Sequence, residues 1–125
     1  MKLLSVLIIS LLVIAGCKST PERYLTKPPI TVEQSDLKDY WVHVSKEFSF
    51  KTGKLKQPKE PGFVKIMYLI DSNGEIFEPK IVESVPDGAW DKFALRALSN
   101  LHYAPAKANS SNRPVYVTTT LEFGL

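Results

Sequence analysis

Residues 63–70, Phe63-Val64-Lys65-Ile66-Met67-Tyr68-Leu69-Ile70, are apolar on both alternating faces except at Lys65. A β-strand sends successive side chains to opposite faces, so such a run needs neighbours on both sides and belongs in the middle of a sheet. Asp71-Ser72-Asn73-Gly74 then supplies a turn, with Asn73-Gly74 suited to positive φ, and a second extended run occupies residues 75–84. The two runs read as a β-hairpin. Pro79 has no N–H to give to a ladder, which puts the second strand at an edge or gives it a bulge.

A helix is written after Pro86. Asp87 can cap it, and Trp90, Phe93, Ala94, Ala97, Leu98 and Leu101 recur at helical spacing as one broad apolar stripe, opposite Lys92, Arg96, Ser99 and Asn100. His102 sits at its expected end, where an imidazolium favours the helix dipole. Pro105 stops the pattern, and residues 108–112 form a polar turn. In the last segment Val115, Val117, Thr119, Leu121 and Phe123 alternate with Tyr116, Thr118, Thr120 and Glu122, which marks a half-buried strand. The expected fold is α+β: a three-stranded antiparallel sheet in the order 2-1-3, connected β-β-α-β, with one helix packed on one face over residues 62–125.

Length and composition leave little else. A chain of 125 residues with 44% hydrophobic and 23% charged side chains suits one small domain. The net charge of +3 is slight and dispersed, whereas nucleic-acid binding calls for a basic face. One Cys excludes an internal disulfide, and the two His lie in different segments, so no metal site is expected. The Asp71-x-Asn73-Gly74 spelling is not a calcium loop either, because the positions that require Gly and Glu hold Ile76 and Val82. No nucleophile, base and acid fall into reach of one another, so neither catalysis nor a cofactor is expected.

The N-terminus is organised differently. Lys2, a short apolar run from Leu3 to Ala15 and the small residues Ala15-Gly16 follow the grammar of a secretory signal, and the run is shorter than the ~20 residues of a spanning helix. Ile14-Ala15-Gly16-Cys17 resembles the lipobox of bacterial lipoproteins, which makes residues 1–16 a signal peptide and Cys17 the acylated first residue of the mature chain. An ordinary signal, or a short anchor with a chance Cys, is the plainer reading. Residues 17–34, with Pro21, Pro28 and Pro29, read as a tether. Residues 35–61 form an N-terminal extension and basic loop. Within it Leu37, Tyr40, Trp41, Val44 and Phe48 favour a helix, although Tyr40-Trp41-Val42-His43-Val44 also suits a strand, and His43 reads as a packing residue. Lys46, Lys51, Lys54, Lys56 and Lys59 read as a solvated loop, with contact to anionic headgroups as the alternative.

Gly62-x-Val64, Asp71-x-x-Gly74-x-Ile76, Ile81-x-x-Ser84, Asp91-x-x-Ala94-Leu95-x-Ala97-Leu98, Tyr103-x-Pro105-Ala106 and Pro114-Val115 with an apolar Phe123 together resemble the C-terminal domain of TonB-type energy transducers. That resemblance implies a periplasmic domain that pairs with short peptide segments of outer-membrane receptors and that, in full transducers, is driven by an inner-membrane motor. This chain departs from the pattern: a lipobox stands where the motor-engaging helix belongs, a long Pro-rich spacer is missing, and no Tyr-Pro pair precedes the first strand.

The expectation is a lipid-anchored envelope protein that binds a protein or peptide partner by strand addition. The partner would pair along the edge formed by Val115, Tyr116, Val117, Thr118, Thr119, Thr120 and Leu121, with Tyr116, Thr118 and Thr120 supplying selectivity. The alternatives are an energy transducer or a homodimeric structural lipoprotein. Lys18 after Cys17 resembles the outer-membrane sorting pattern, so the anchor is expected in the outer membrane, facing the periplasm.

Overall fold

The computed structural model describes residues 22–44 and 56–124; the signal stretch, Cys17 and residues 45–55 lie outside them. In chain order the elements are β1 (Ile30–Val32), a 3-10 helix (Gln34–Asp39), β2 (Trp41–His43), β3 (Gly62–Ile70), β4 (Ile76–Val85), α1 (Asp91–Ser99), β5 (Tyr103–Pro105) and β6 (Val115–Phe123).

The doubly apolar run is β3, which lies between β4 and β6 and is antiparallel to both, as the order 2-1-3 requires. Antiparallel partners directly opposite share a face, so Val64, Ile66, Tyr68 and Ile70 of β3 line one surface with Leu121, Thr119, Val117 and Val115 of β6. Phe93, Ala94 and Leu98 of α1 join these residues in a single buried cluster. Each large side chain so removed from water contributes ~1.5–3 kcal/mol. β4 is an edge strand, and its register slips opposite Tyr68, between Lys80 and Phe77, where Pro79 and Glu78 with φ 55° form a bulge.

Four details differ from the sequence expectations. First, a fourth strand joins the sheet: β1 pairs in parallel outside β6, Ile30 opposite Val115 and Val32 opposite Val117. The tether read over residues 17–34 is therefore corrected from Arg23 onward. Arg23 Nη1 reaches Glu78 Oε1 at 2.9 Å, Tyr24 N–H donates to Asp71 Oδ2 at 3.0 Å, and Thr26 N–H donates to Ser72 Oγ at 2.9 Å. A three-residue strand carries too few positions for a period to register, and polar neighbours obscured it.

Second, the expected helix from Leu37 is a 3-10 helix that ends at Asp39, and Trp41–His43 is a strand. It pairs antiparallel with β5, Trp41 opposite Pro105 and His43 opposite Tyr103. This ribbon meets the sheet where Tyr103 stacks on Tyr68, and Trp41, 2% exposed, drives into the core with its Nε1 donating to Arg113 O at 2.8 Å. Third, the residue before α1 is Trp90 and not Asp87, and no side chain caps the first turn. Instead Asp91 Oδ1 accepts the Ser84 hydroxyl at 2.6 Å while Ser84 Oγ accepts Gly88 N–H at 3.0 Å, so the helix start is fastened to the end of β4. Fourth, α1 ends at Ser99. His102 lies past it, exposed, with Nδ1 3.4 Å from Glu75 Oε2, and has no part in the helix dipole.

Candidate functional site

β6 has two edges, one occupied by β3. Ile30 N–H donates to Pro114 O at 3.2 Å, and Thr120 N–H donates to Gln34 Oε1 at 3.2 Å. Main-chain groups alternate in direction along a strand, so the even-numbered residues of β6 turn their N–H and C=O away from β3. Tyr116, Thr118 and Thr120 all meet that condition. Their side chains lie on the face of the sheet opposite the core, where Tyr116 OH donates to Glu78 Oε2 at 3.1 Å.

The sequence reading leaves this whole edge open. In the structure β1 takes residues 115–117, because Ile30 and Val32 gain cover against the core while their backbone gains partners. Beyond Val32 the chain lifts away into the 3-10 helix. Alongside residues 119–123 no strand among the described residues pairs with the outer edge of β6; the 3-10 helix lies against it and the Gln34 side chain reaches the Thr120 N–H.

The lane opens onto a groove of about 420 Å³ on the core side of the sheet. Leu37 and Lys38 of the 3-10 helix form one wall and Thr119, Thr120 and Leu121 of β6 the other, with Trp41, His43, Leu101, Tyr68 and Tyr103 between them. Among the described residues the ionisable groups of this lining are Lys38, His43 and the two tyrosines. Neither Gln34 nor the aromatic lining was legible as a site, since the groove joins elements distant in sequence whose individual residues carry no motif. His43 is exposed, with its ring edge-on to Tyr103 at a centroid distance of 5.9 Å.

At the groove floor the hydroxyls of Tyr68 and Tyr103 are hydrogen-bonded at 2.7 Å. Burial raises both above the ordinary value of 10.0; hydrogen bonds from Tyr103 and Thr119 offset part of the rise at Tyr68, whereas the adjacent Tyr68 adds to it at Tyr103. Above pH ~10 the unfolded chain loses these protons while the native chain keeps them, so stability is full below that pH and falls as pH rises. Tyr103→Phe is expected to shallow the fall of melting temperature between about pH 9 and 11. An unchanged slope in thermal melts would remove the pair from that transition.

The Asp71 carboxylate is fully engaged in the β3–β4 turn. It is 1% exposed, and besides Tyr24 it accepts the N–H groups of Asn73 at 2.9 Å and Glu75 at 3.0 Å through Oδ1. It holds the hairpin turn and the N-terminal strap together. No cluster of His, Cys, Asp and Glu able to hold a metal ion occurs among the described residues.

The domain thus presents a small sheet with one helix packed on it, an incompletely filled edge and an adjoining apolar groove. Residues 54–125 match the family model described as Gram-negative bacterial TonB protein C-terminal. The chain belongs to the TonB C-terminal family, whose domains are non-enzymatic protein-interaction modules of the bacterial envelope that face the periplasm. Among solved structures, the solution NMR structure of the Pseudomonas aeruginosa TonB CTD matches with a TM-score of 0.54 and 18% identity, covering 75% of this chain and 93% of that one. It shares the fold. A search of curated proteins gave no match. No helix among the described residues is long and apolar enough to cross a membrane.

Proposed function

We propose that this protein is a lipid-anchored member of the family, held by acylated Cys17 in the outer membrane with its domain facing the periplasm, and that it captures an envelope protein by adding one of that protein's strands to β6. The lane beside residues 119–123 carries this reading: beyond Thr118, whose N–H the β1 pairing takes, Thr120 and Glu122 direct backbone groups outward, and the Gln34 side-chain amide holds the Thr120 N–H. A longer partner strand reaches residues 115–117 by displacing β1, which is only three residues long.

The anchor reading gains from the docked strap. Residues 18–22 alone separate Cys17 from Arg23, whose side chain is already paired with Glu78. At ~3.3–3.6 Å per extended residue that leash reaches roughly 20 Å. So short a reach suits a partner beside the same membrane and not one across the periplasm, which favours passive capture over energy transduction.

Two measurements test the reading. Mass spectrometry of the mature protein is expected to find acylated Cys17 at the N-terminus, and retained Met1 or unmodified Cys17 would defeat the anchor. In crosslinking pull-downs from envelopes, Thr120→Pro is expected to abolish capture in a folded domain while Thr120→Ala weakens it modestly, because proline removes the outward N–H itself. A folded proline variant that captures the partner at wild-type affinity would rule out strand addition.

A further inference from the structure

Where the N-terminal strap docks, Arg113 and Asp39 line a second cavity of about 370 Å³. Asn109, 4% exposed, holds its walls: it accepts Arg113 N–H at 2.8 Å and donates to Tyr40 O at 2.9 Å. The segment that bears the guanidinium is thereby fixed against the one that bears the carboxylate. Among the described residues neither charge is ion-paired, with the other or with any third group, and Arg113 Nε is buried without a hydrogen bond. A buried N–H left so is costly, which makes an acceptor at this guanidinium favourable.

Two opposite charges that share a cavity without pairing match a ligand that carries both. An anion alone would meet the Asp39 carboxylate and a cation alone the guanidinium, and like charges brought together oppose binding. A guanidinium takes an oxyanion side-on through Nε and one Nη, a fork that suits phosphate, while a primary ammonium donates to a carboxylate.

The position of the cavity supplies the source. Ile30 lines it, and so does Ser111, whose carbonyl accepts the Thr26 hydroxyl of the strap at 2.9 Å. With Cys17 acylated, residues 18–22 keep Arg23 within roughly 20 Å of a bilayer. Tyr24, next in the chain, is 55% exposed and of the type that settles at a membrane–water interface.

We propose that this cavity binds the phosphoethanolamine headgroup of a membrane lipid, with the phosphate on Arg113 and the ammonium on Asp39, and so sets how the domain sits on its own bilayer. The lipid source rests on the anchor reading; the pairing of charges with the cavity does not.

Amide NMR titration of the full chain in a neutral detergent tests the cavity, and the same spectra report folding. The probes are three deacylated headgroups: glycerophosphoethanolamine, glycerophosphoglycerol, which has no ammonium, and glycerophosphocholine, whose ammonium has no N–H. The first is expected to bind about five-fold tighter than either of the others, the upper end of what one part-exposed ion pair provides. Asp39→Asn, at an exposed position where folding is not at stake, should bring the three within about two-fold of one another. Arg113→Gln should weaken all three. For the bilayer, a fluorophore on Lys107→Cys, next to the cavity lining, is read in phosphatidylcholine vesicles that hold lipids with spin-labelled headgroups. Adding phosphatidylethanolamine should increase its quenching, and Asp39→Asn should remove the increase.

Equal affinity for the three probes in wild type shows a phosphate site only, and no binding shows no site; either overturns the proposal, as does a preference that Asp39→Asn leaves intact. Selective binding in solution without the gain in quenching, in a chain whose Cys17 is acylated by mass spectrometry, overturns the lipid source. An unmodified Cys17 defeats the anchor reading and the lipid source together, while the titration decides the cavity by itself.

Discussion

Gly74→Ala is expected to destabilise the domain by ~3 kcal/mol or more in urea melts. Two costs combine at this residue. Its φ of +78° lies in the left-handed region, where a Cβ costs about 1–2 kcal/mol. A Cβ built there would also stand 1.9 Å from the carbonyl oxygen of Tyr103, which is backbone and unable to rotate aside. That approach exists because Gly74 O accepts Tyr103 N–H at 3.1 Å, tying the β3–β4 turn to β5. Gly88 supplies the control: its φ is +73°, but nothing lies within 4 Å of its Cβ position, so Gly88→Ala should show the conformational cost alone, ~1–2 kcal/mol. Equal losses at the two glycines would mean that the contact with Tyr103 is not maintained in solution.

The second large effect is expected at Trp41. Trp41→Ala removes an indole that is 2% exposed and packed in the main cluster, and leaves the Arg113 carbonyl without its donor. Truncating so large a buried aromatic costs about 3–5 kcal/mol, enough to unfold much of a small domain. The neighbouring Val42 is 49% exposed and should tolerate alanine within about 0.5 kcal/mol. The contrast bears on domain extent, because Trp41 lies before residue 54, where the family match begins. If Trp41→Ala melts like wild type, the N-terminal ribbon is an accessory to the domain and no part of its core.

The order of strands was legible because burial leaves a period. The doubly apolar run could only be central, Pro79 could only tolerate an edge or a bulge and has both, and Trp90, Phe93, Ala94 and Leu98 are buried on one side of α1 or its approach. The family resemblance lay in residues whose structural duties are local: Gly62 abuts Val85 O, Gly74 turns the hairpin, and Ser84 and Asp91 bond each other. Such duties demand particular residue types at fixed spacing, and spacing survives in a one-dimensional string.

What tertiary structure alone decided is how the remaining segments meet. β1, β2 and β5 are three residues each, too short to show a period, and they become strands because β6 and each other offer their backbones partners. The Tyr40-Trp41-Val42-His43-Val44 stretch was undecided between helix and strand for the same reason, and pairing with Tyr103–Pro105 decided it. That β1 closes the first third of the β6 edge, that Gln34 guards the Thr120 N–H, and that Leu37, Tyr103 and Leu121 share a groove are facts about residues distant in the chain. Each residue's own chemistry is compatible with many neighbours; only the folded chain, by satisfying backbone groups and covering apolar surface at once, selects which of them it meets.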